Sequence, residues 1–405
     1  MTSDDSGRLL VISRKFPPSI GGTQTVLKNL FVDFNPEEYL VVHDREGEAV
    51  ERSFKYEDVT VDFPHYVNRL LGKFTIPLFV LLVPVMIWSL YRLNRENDFN
   101  KCLLVYPDPF FSVAGYLFCR LTGLDYVLYY HDLFEEAQTK KSRIIQRLLA
   151  RVFEGPMINN SEKFLVISEG LGEFYRSKWG VEPVILPHSI DLNDIRERKS
   201  VETGRSEDRP GGGPEPIEIL YSGRIYDDQF DAVDAFTTAF RHSDLDVKFI
   251  ITSSLPRKHF EEMGIAKEDT VVKFFETKEE LHEAQRNVDI LYLPLAFDPP
   301  APLEVNTALP TKLFEYVASM SPVLVHCSKD TYLYKFCRKH DVGSICTSRK
   351  QQTILSAISK LADEWEVDYG ERIDFLKQFS RKKIYREFRD HIGLNSLGLT
   401  EGGAK

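Results

Sequence analysis

Cysteine is scarce in this chain and scattered where it occurs. Cys102, Cys119, Cys327, Cys337 and Cys346 are spread over 405 positions with no CxxC pair. Neither a disulfide framework nor a zinc ribbon is expected. The first residues, MTSDDSGRLLVIS, lack a basic stretch leading into a long apolar run, so no secretory leader and a reducing, cytoplasmic compartment are expected. Positive charge is also short: 51 Lys and Arg face 61 Asp and Glu, for a net charge of −10. That balance argues against bulk nucleic-acid binding, which needs a basic surface. The glycine-rich phosphate patterns GxGxxG and GxxxxGK[ST] are both missing. Long hydrophobic runs are few, and the notable one is Phe74–Tyr91, 18 uncharged residues interrupted by Pro77 and Pro84. Its length is at the lower edge of a membrane span. Arg69, Lys73, Arg92 and Arg95 flank it on both sides and so give no orientation bias. It reads first as a buried helix of a domain, with a helix on a membrane surface and a true span as the alternatives.

What is present is an alternation of short apolar runs and helical stretches. Strands are expected at Leu9–Ser13, Tyr39–Val42, Cys102–Tyr106, Tyr126–Tyr130, Phe164–Ile167 and Val184–Leu186. A second series is expected at Ile217–Ser222, Val247–Ile251, Val271–Phe275, Ile290–Leu293, Val323–His326 and Gly343–Cys346. Continuously apolar strands are buried on both faces, and strands separated by helices make βαβ units. The pattern is therefore α/β and doubly wound, twice over. Residues 196–216, RERKSVETGRSEDRPGGGPEP, are polar and rich in Gly and Pro and read as a connector. The expected organisation is a first domain over 1–188, a linker over 189–216 and a second domain over 217–375. A C-terminal helix near 376–397 is expected to pack back on the first domain, and 398–405 to fray.

Ligands of doubly wound sheets bind beyond the carboxyl ends of the strands, and several residues there could carry chemistry. Gly21 and Gly22 open a helix at Thr23–Phe31, where bare backbone N–H groups can approach an anion; a simple turn needing glycine is the alternative. His131 and Asp132 follow a strand, where a histidine can polarise a hydroxyl, bond a sugar or merely cap the strand end. A helix at Gln138–Glu154 carries Lys140, Lys141, Arg143, Arg147 and Arg151 with no acid between Glu136 and Glu154. Such a stripe suits an anionic membrane or acceptor, or is an ordinary solvated face. Gly223 permits close approach and Arg224 can fork onto a phosphate. In LPTKLFEY (309–316), Pro310, Thr311 and Lys312 open a helix with Glu315 one turn along. Free N–H groups and Lys312 would hold a diphosphate, and Glu315 could accept from two ribose hydroxyls.

Taken in order, FPPSIGG (16–22), YHDLFEE (130–136), VISEGLGEFY (166–175), VILPHSIDL (184–192), YSGRI (221–225), VDILYLPL (288–295) and LPTKLFEYVASMSPVLV (309–325) resemble the retaining GT-B glycosyltransferases of family 4. The resemblance implies two Rossmann-like domains facing a cleft, the donor nucleotide on the C-terminal one and the acceptor on the N-terminal one. It assigns Glu315 to the ribose. Arg224 goes to the leaving diphosphate, with Gly223, Pro310, Thr311 and Lys312 around it, Gly21 and Gly22 to the other side of the diphosphate, and His131 to the donor sugar. No metal and no cofactor are implied beyond the nucleotide-sugar co-substrate, and no protein nucleophile. Two positions depart from the family: Gln229 stands where a Lys is common, and Thr307 where a second Glu reaches the donor sugar. Lys312 can replace the missing positive charge, and Asp298 or Glu304 could supply the sugar contact. His188 stands where an Asn is common before the interdomain switch.

The expected activity is thus transfer of a sugar from a nucleotide-diphosphate sugar to a lipid- or polysaccharide-linked glycan at the cytoplasmic membrane face, on a cytoplasmic or peripherally bound protein. The alternatives are a GT-B-fold binding or regulatory protein with weak or no transfer, and a nucleotide-sugar epimerase.

Overall fold

The computed structural model describes residues 8–18, 21–44, 55–61, 75–106, 108–136, 144–193, 195, 216–363 and 368–394. The chain divides into two compact units, one made of Met1–Ser189 with Arg381–Lys405, the other of Ile190–Ser380.

In the first unit seven parallel strands form one sheet in the order β3-β2-β1-β4-β5-β6-β7. They are β1 (Arg8–Ser13), β2 (Tyr39–Asp44), β3 (Glu57–Val61), β4 (Phe99–Tyr106), β5 (Asp125–Tyr130), β6 (Lys163–Val166) and β7 (Val184–Ile185). The apolar runs place the central strands because burial on both faces tolerates no polar alternation: Leu9, Val11, Leu103, Val105, Val127 and Tyr129 have no exposed surface. The helices are α1 (Gly22–Phe31), α2 (Thr75–Asn97), α3 (Pro109–Thr122), α4 (Ile144–Asn159) and α5 (Glu169–Trp179), with α14 (Arg381–Ile392) at the end of the chain. Asp108 starts α3 by accepting from the Phe110 and Phe111 N–H groups, and Pro109 suits the first helical position.

The second unit is a six-stranded parallel sheet in the order β10-β9-β8-β11-β12-β13. Its strands are β8 (Ile217–Ser222), β9 (Val247–Thr252), β10 (Thr270–Lys273), β11 (Ile290–Pro294), β12 (Val323–His326) and β13 (Ser344–Cys346). Around it lie α6 (Asp227–Arg241), α7 (Arg257–Glu262), α8 (Lys278–Asn287), α9 (Pro302–Thr307), α10 (Lys312–Ala318), α11 (Tyr332–His340), α12 (Gln351–Asp363) and α13 (Tyr369–Lys377). Two apolar cores flank this sheet, one with Leu313, Phe314 and Val317 of α10, the other with Val233 and Phe236 of α6.

The doubly wound α/β reading holds for both sheets, and three details differ from expectation. β3 was not anticipated, because Glu57 and Asp58 break the apolar pattern. It is an edge strand, and its acids pair with Arg8 and with His43, the latter at 3.1 Å. β10 stops at Lys273, and Phe274 leaves the sheet with 66% of its surface exposed. The 376–397 segment is not one helix: α13 ends at Lys377, the Ile190 N–H bonds the Phe379 carbonyl at 2.9 Å, and α14 begins at Arg381. From α14, Ile384, Phe388 and Ile392 enter the core of the first unit, and Arg389 pairs with Glu38 at 2.8 Å. The linker's 196–215 portion lies outside the described residues.

The uncharged run from Thr75 lies in α2, and over its residues 82–91 only one side is buried: Met86 and Leu90 are in the core while Trp88 is 59% exposed. Among the described residues no helix is long and apolar enough to cross a membrane. The helix placed at Gln138–Glu154 is described from Ile144, so Lys140, Lys141 and Arg143 lie outside the described residues, while Arg147 and Arg151 are exposed on α4.

Candidate functional site

In the second unit the chain brings two separate motifs together. β8 ends at Ser222 and α10 opens at Lys312. The Ser222 N–H donates to the Tyr316 hydroxyl at 2.8 Å, across 94 positions of sequence. Gly223 follows with φ +113°, a left-handed conformation that only glycine adopts without strain. Its N–H bonds the Thr252 carbonyl at 2.7 Å. A side chain on Gly223 would meet Lys312: a Cβ there would lie 3.0 Å from Cε and 3.2 Å from Nζ. The Lys312 ammonium is 5.5 Å from the centre of the Tyr221 ring, a cation–π distance. Burial pulls its pKa below the usual lysine value, and the neighbouring Glu315 carboxylate pushes the other way. Arg224 is exposed, anchored through its carbonyl, which accepts from the Tyr221 hydroxyl at 2.8 Å. Thr311 and Glu315 are half-buried, and the Pro310 carbonyl accepts from the Leu313 N–H at 3.0 Å. One end of this sheet therefore sets the bare backbone at Gly223 against the Lys312 ammonium, with Arg224 next in the chain and Glu315 one helical turn from Thr311.

The positions that depart from the family pattern have other work. The Gln229 side chain accepts from the Tyr226 N–H at 3.1 Å and so caps α6. The Thr307 hydroxyl donates to the Leu303 carbonyl at 2.8 Å within α9. Asp298 pairs with Arg349 at 2.6 Å. Its loop is fixed by Asp231, whose carboxylate accepts from the Phe297 and Asp298 N–H groups at 2.8–3.1 Å.

In the first unit the two glycines behave differently. Gly21 caps α1, its carbonyl accepting from Thr25 N–H at 2.9 Å, and a Cβ there would come 2.4 Å from Gln24 Oε1. A Cβ on Gly22 would meet nothing within 4 Å. Ser19 and Ile20 of the same loop lie outside the described residues. The loop after β1 is held from behind by Arg14, bonded to Asp44 at 3.3 Å and to Asp108 at 2.8 Å. Sequence reading passed over this buttress; the helix-starting Asp108-Pro109 pair was its visible signal.

His131 directly follows β5 and is 7% exposed. Both of its ring nitrogens are buried without a hydrogen-bond partner among the described residues, and the Tyr129 ring lies edge-on at 4.3 Å. Burial, with His188 as a second influence, pushes its pKa down to about 3. It is a neutral imidazole at physiological pH and can donate from one nitrogen while accepting at the other. The loop carrying it is clamped. The Phe134 N–H donates to the Tyr175 hydroxyl at 3.0 Å, and that hydroxyl donates to Glu154 at 3.2 Å. Lys178 of α5 holds Glu135 at 3.2 Å, Glu136 at 2.6 Å and the fully buried Glu154. The two glutamates of YHDLFEE thus position the loop.

No protein-family model matches the chain, and no curated protein does either. Solved structures do match. Sucrose-phosphate synthase from Thermosynechococcus elongatus superposes with a TM-score of 0.65 at 12% identity, covering 95% of this chain and 98% of that one. An α,α-trehalose-phosphate synthase (UDP-forming) from Burkholderia vietnamiensis gives 0.65 at 12%, over 96% and 98%. Anabaena HepE in complex with UDP and glucose gives 0.61 at 13%, over 96% and 99%. At this identity the likeness establishes the fold: two Rossmann-like units of the GT-B architecture.

Proposed function

We propose that this protein is a retaining glycosyltransferase that moves a sugar from a nucleotide-diphosphate sugar to a lipid- or polysaccharide-linked glycan at the cytoplasmic face of a membrane. The observation that carries the reading is the meeting of Gly223 with Lys312, with the Ser222 N–H bonded to the Tyr316 hydroxyl, which joins the GR and LPTKLFEY motifs in the second unit. Two cations beside a backbone stripped of its side chain suit a diphosphate, and they stabilise the charge that grows on it as the sugar departs. Glu315, one turn into α10, accepts from the ribose hydroxyls, and the amides near Thr311 add to the diphosphate site. In this reading His131 bonds a hydroxyl of the donor sugar, and Gly21 and Gly22 serve the diphosphate. The matched solved structures support it by their ligands and activities: UDP and glucose on HepE, and UDP-forming synthesis for the trehalose-phosphate enzyme. In this reading the two cations do the work on the diphosphate.

The test is calorimetry with UDP, GDP, TDP and ADP, then a transfer assay with the matching sugars and a panel of lipid and polysaccharide acceptors. One nucleotide should bind, and Glu315→Ala and Arg224→Ala should each weaken it by about tenfold or more. Absence of binding by every nucleotide, or unchanged affinity in both variants, overturns the assignment. A second reading, a binding protein without transfer, is favoured by Gln229 and Thr307, whose side chains are spent on local hydrogen bonds. Any transfer product would exclude it.

A further inference from the structure

From Leu82 onward, helix α2 is used on only one side. Met86 and Leu90 are buried in the core of the first unit, with Leu82, Val83, Ile87 and Leu93 packed against it. On the other side Val85, Trp88 and Tyr91 follow at three-residue steps and are 58%, 59% and 48% exposed. α2 packs on α3, and α3 on α4. Leu121 at the end of α3, and Leu148 and Val152 one turn apart on α4, are exposed as well. Of the ten large apolar side chains exposed among the described residues, these three neighbouring helices hold six. Scattered exposed apolar residues need no explanation, but a grouped set marks a contact surface.

The charge on the same helices selects the partner. Arg92 and Arg95 of α2, Arg120 of α3, and Arg147 and Arg151 of α4 are all exposed. Against them stands a single exposed acid on the described parts of these helices, Glu96, which Arg92 partly occupies at 3.6 Å. The whole chain carries −10, so this local excess of cations runs against the protein's overall sign. The Arg92 guanidinium also lies over the Trp88 ring at 5.2 Å. Tryptophan, tyrosine and arginine mixed with aliphatic side chains on one helical face is the composition of an interfacial helix. Helix α2 is fixed to the core through Met86 and Leu90, so its exposed side can enter a headgroup region without crossing the bilayer.

We propose that the exposed face of α2, α3 and α4 docks on an anionic lipid bilayer. Val85, Trp88, Tyr91, Leu148 and Val152 enter the headgroup boundary, and the arginines sit on lipid phosphates. The proposal deepens the reading of a membrane-face acceptor, yet uses no residue of the donor set, so the two can fail separately.

The test uses the full chain and sedimentation with vesicles of phosphatidylglycerol and phosphatidylcholine, or of phosphatidylcholine alone, alongside nucleotide calorimetry. Binding to the anionic vesicles should exceed binding to neutral ones by about tenfold or more and should weaken with salt. Arg147→Gln with Arg151→Gln should weaken it by about tenfold. Trp88→Ser with Tyr91→Ser should weaken it even at low salt, and the vesicle-induced blue shift of tryptophan emission should vanish in Trp88→Phe. All these positions are exposed, and the variants should keep the wild-type melting temperature and nucleotide affinity. Equal binding to neutral and anionic vesicles, or no binding to either, overturns the proposal. So does a dimer in sedimentation velocity that Trp88→Ser with Tyr91→Ser dissolves while vesicle binding is absent; a second copy would then cover this face. Loss of nucleotide binding with vesicle binding intact would sink the donor assignment alone.

Discussion

Gly223 and Lys312 occupy adjoining space: a Cβ on the glycine would come within 3.2 Å of the lysine Nζ. The bare Cα lets the cation lie beside the backbone at the end of β8, while φ +113° excludes an ordinary residue there in any case. Gly223→Ala should therefore cost stability, by about 1–3 kcal/mol for the backbone strain, and should also displace Lys312. Denaturant unfolding reads the first effect and nucleotide calorimetry the second. Unchanged nucleotide affinity in a destabilised Gly223→Ala protein would reduce this glycine to a structural role.

Gly22 offers the converse case. A Cβ there meets nothing within 4 Å, and its position at the start of α1 demands no unusual backbone. On structural grounds Gly22→Ala should leave the melting temperature unchanged or raise it slightly, since alanine restricts the unfolded chain. If the open space serves a ligand diphosphate, the same substitution should weaken donor binding several-fold. A variant unchanged in both stability and donor affinity would remove Gly22 from the site.

The sheets and the candidate donor motifs stand out in the sequence for different reasons. Strands such as Ile217–Ser222 and Val323–His326 stand out because a sheet covered on both faces needs an unbroken apolar run. β3 was not legible, because an edge strand is covered less and so tolerates Glu57 and Asp58. The GR and LPTKLFEY motifs could be picked out singly, but nothing local says that Tyr316 would reach Ser222. Nor could sequence spacing show that Gln229 and Thr307 turn their polar atoms into their own helices. Charge patterning drew attention to 138–154, whereas the exposed side of α2 became visible only once Met86 and Leu90 were seen to face the core.

The clamp behind the His131 loop predicts an asymmetric mutational response. Lys178 neutralises Glu154, which has no exposed surface, and also holds Glu135 and Glu136. Burial raises the Glu154 pKa, and the lysine pulls it back. Lys178→Met leaves that carboxylate buried without its cation and should cost about 3–5 kcal/mol. Adding Glu154→Gln to Lys178→Met should recover much of the loss, because the amide oxygen can accept from the Trp179 N–H and the amide NH2 donate to the Tyr175 hydroxyl without a charge to bury. Equilibrium denaturation of the single and double variants measures the coupling. A double variant no more stable than Lys178→Met would show that Glu154 is not where the cost arises.

His131 gives the pH-dependent prediction. Burial first, and His188 second, hold its folded pKa at about 3, against about 6.5 in an unfolded chain. Above pH 6.5 both states carry a neutral imidazole and the group contributes no slope. Below it the unfolded chain takes up the proton while the folded one refuses it, so stability falls as pH falls, by about 1.4 kcal/mol per pH unit down to about pH 3. His131→Gln removes that difference. Urea unfolding between pH 7 and pH 4 should show wild type losing stability more steeply than His131→Gln. His326, whose pKa is pushed down to about 4 by burial, contributes equally to both proteins and cancels. The same neutrality bears on the proposed role: if His131 bonds a sugar hydroxyl, an imidazole that stays uncharged across pH 5–8 does so without titrating. His131→Gln should then lower transfer at every pH in that range by a similar factor. A pH-rate limb near 6 present in wild type and absent from His131→Gln would show that His131 changes charge during turnover, against the geometry around it.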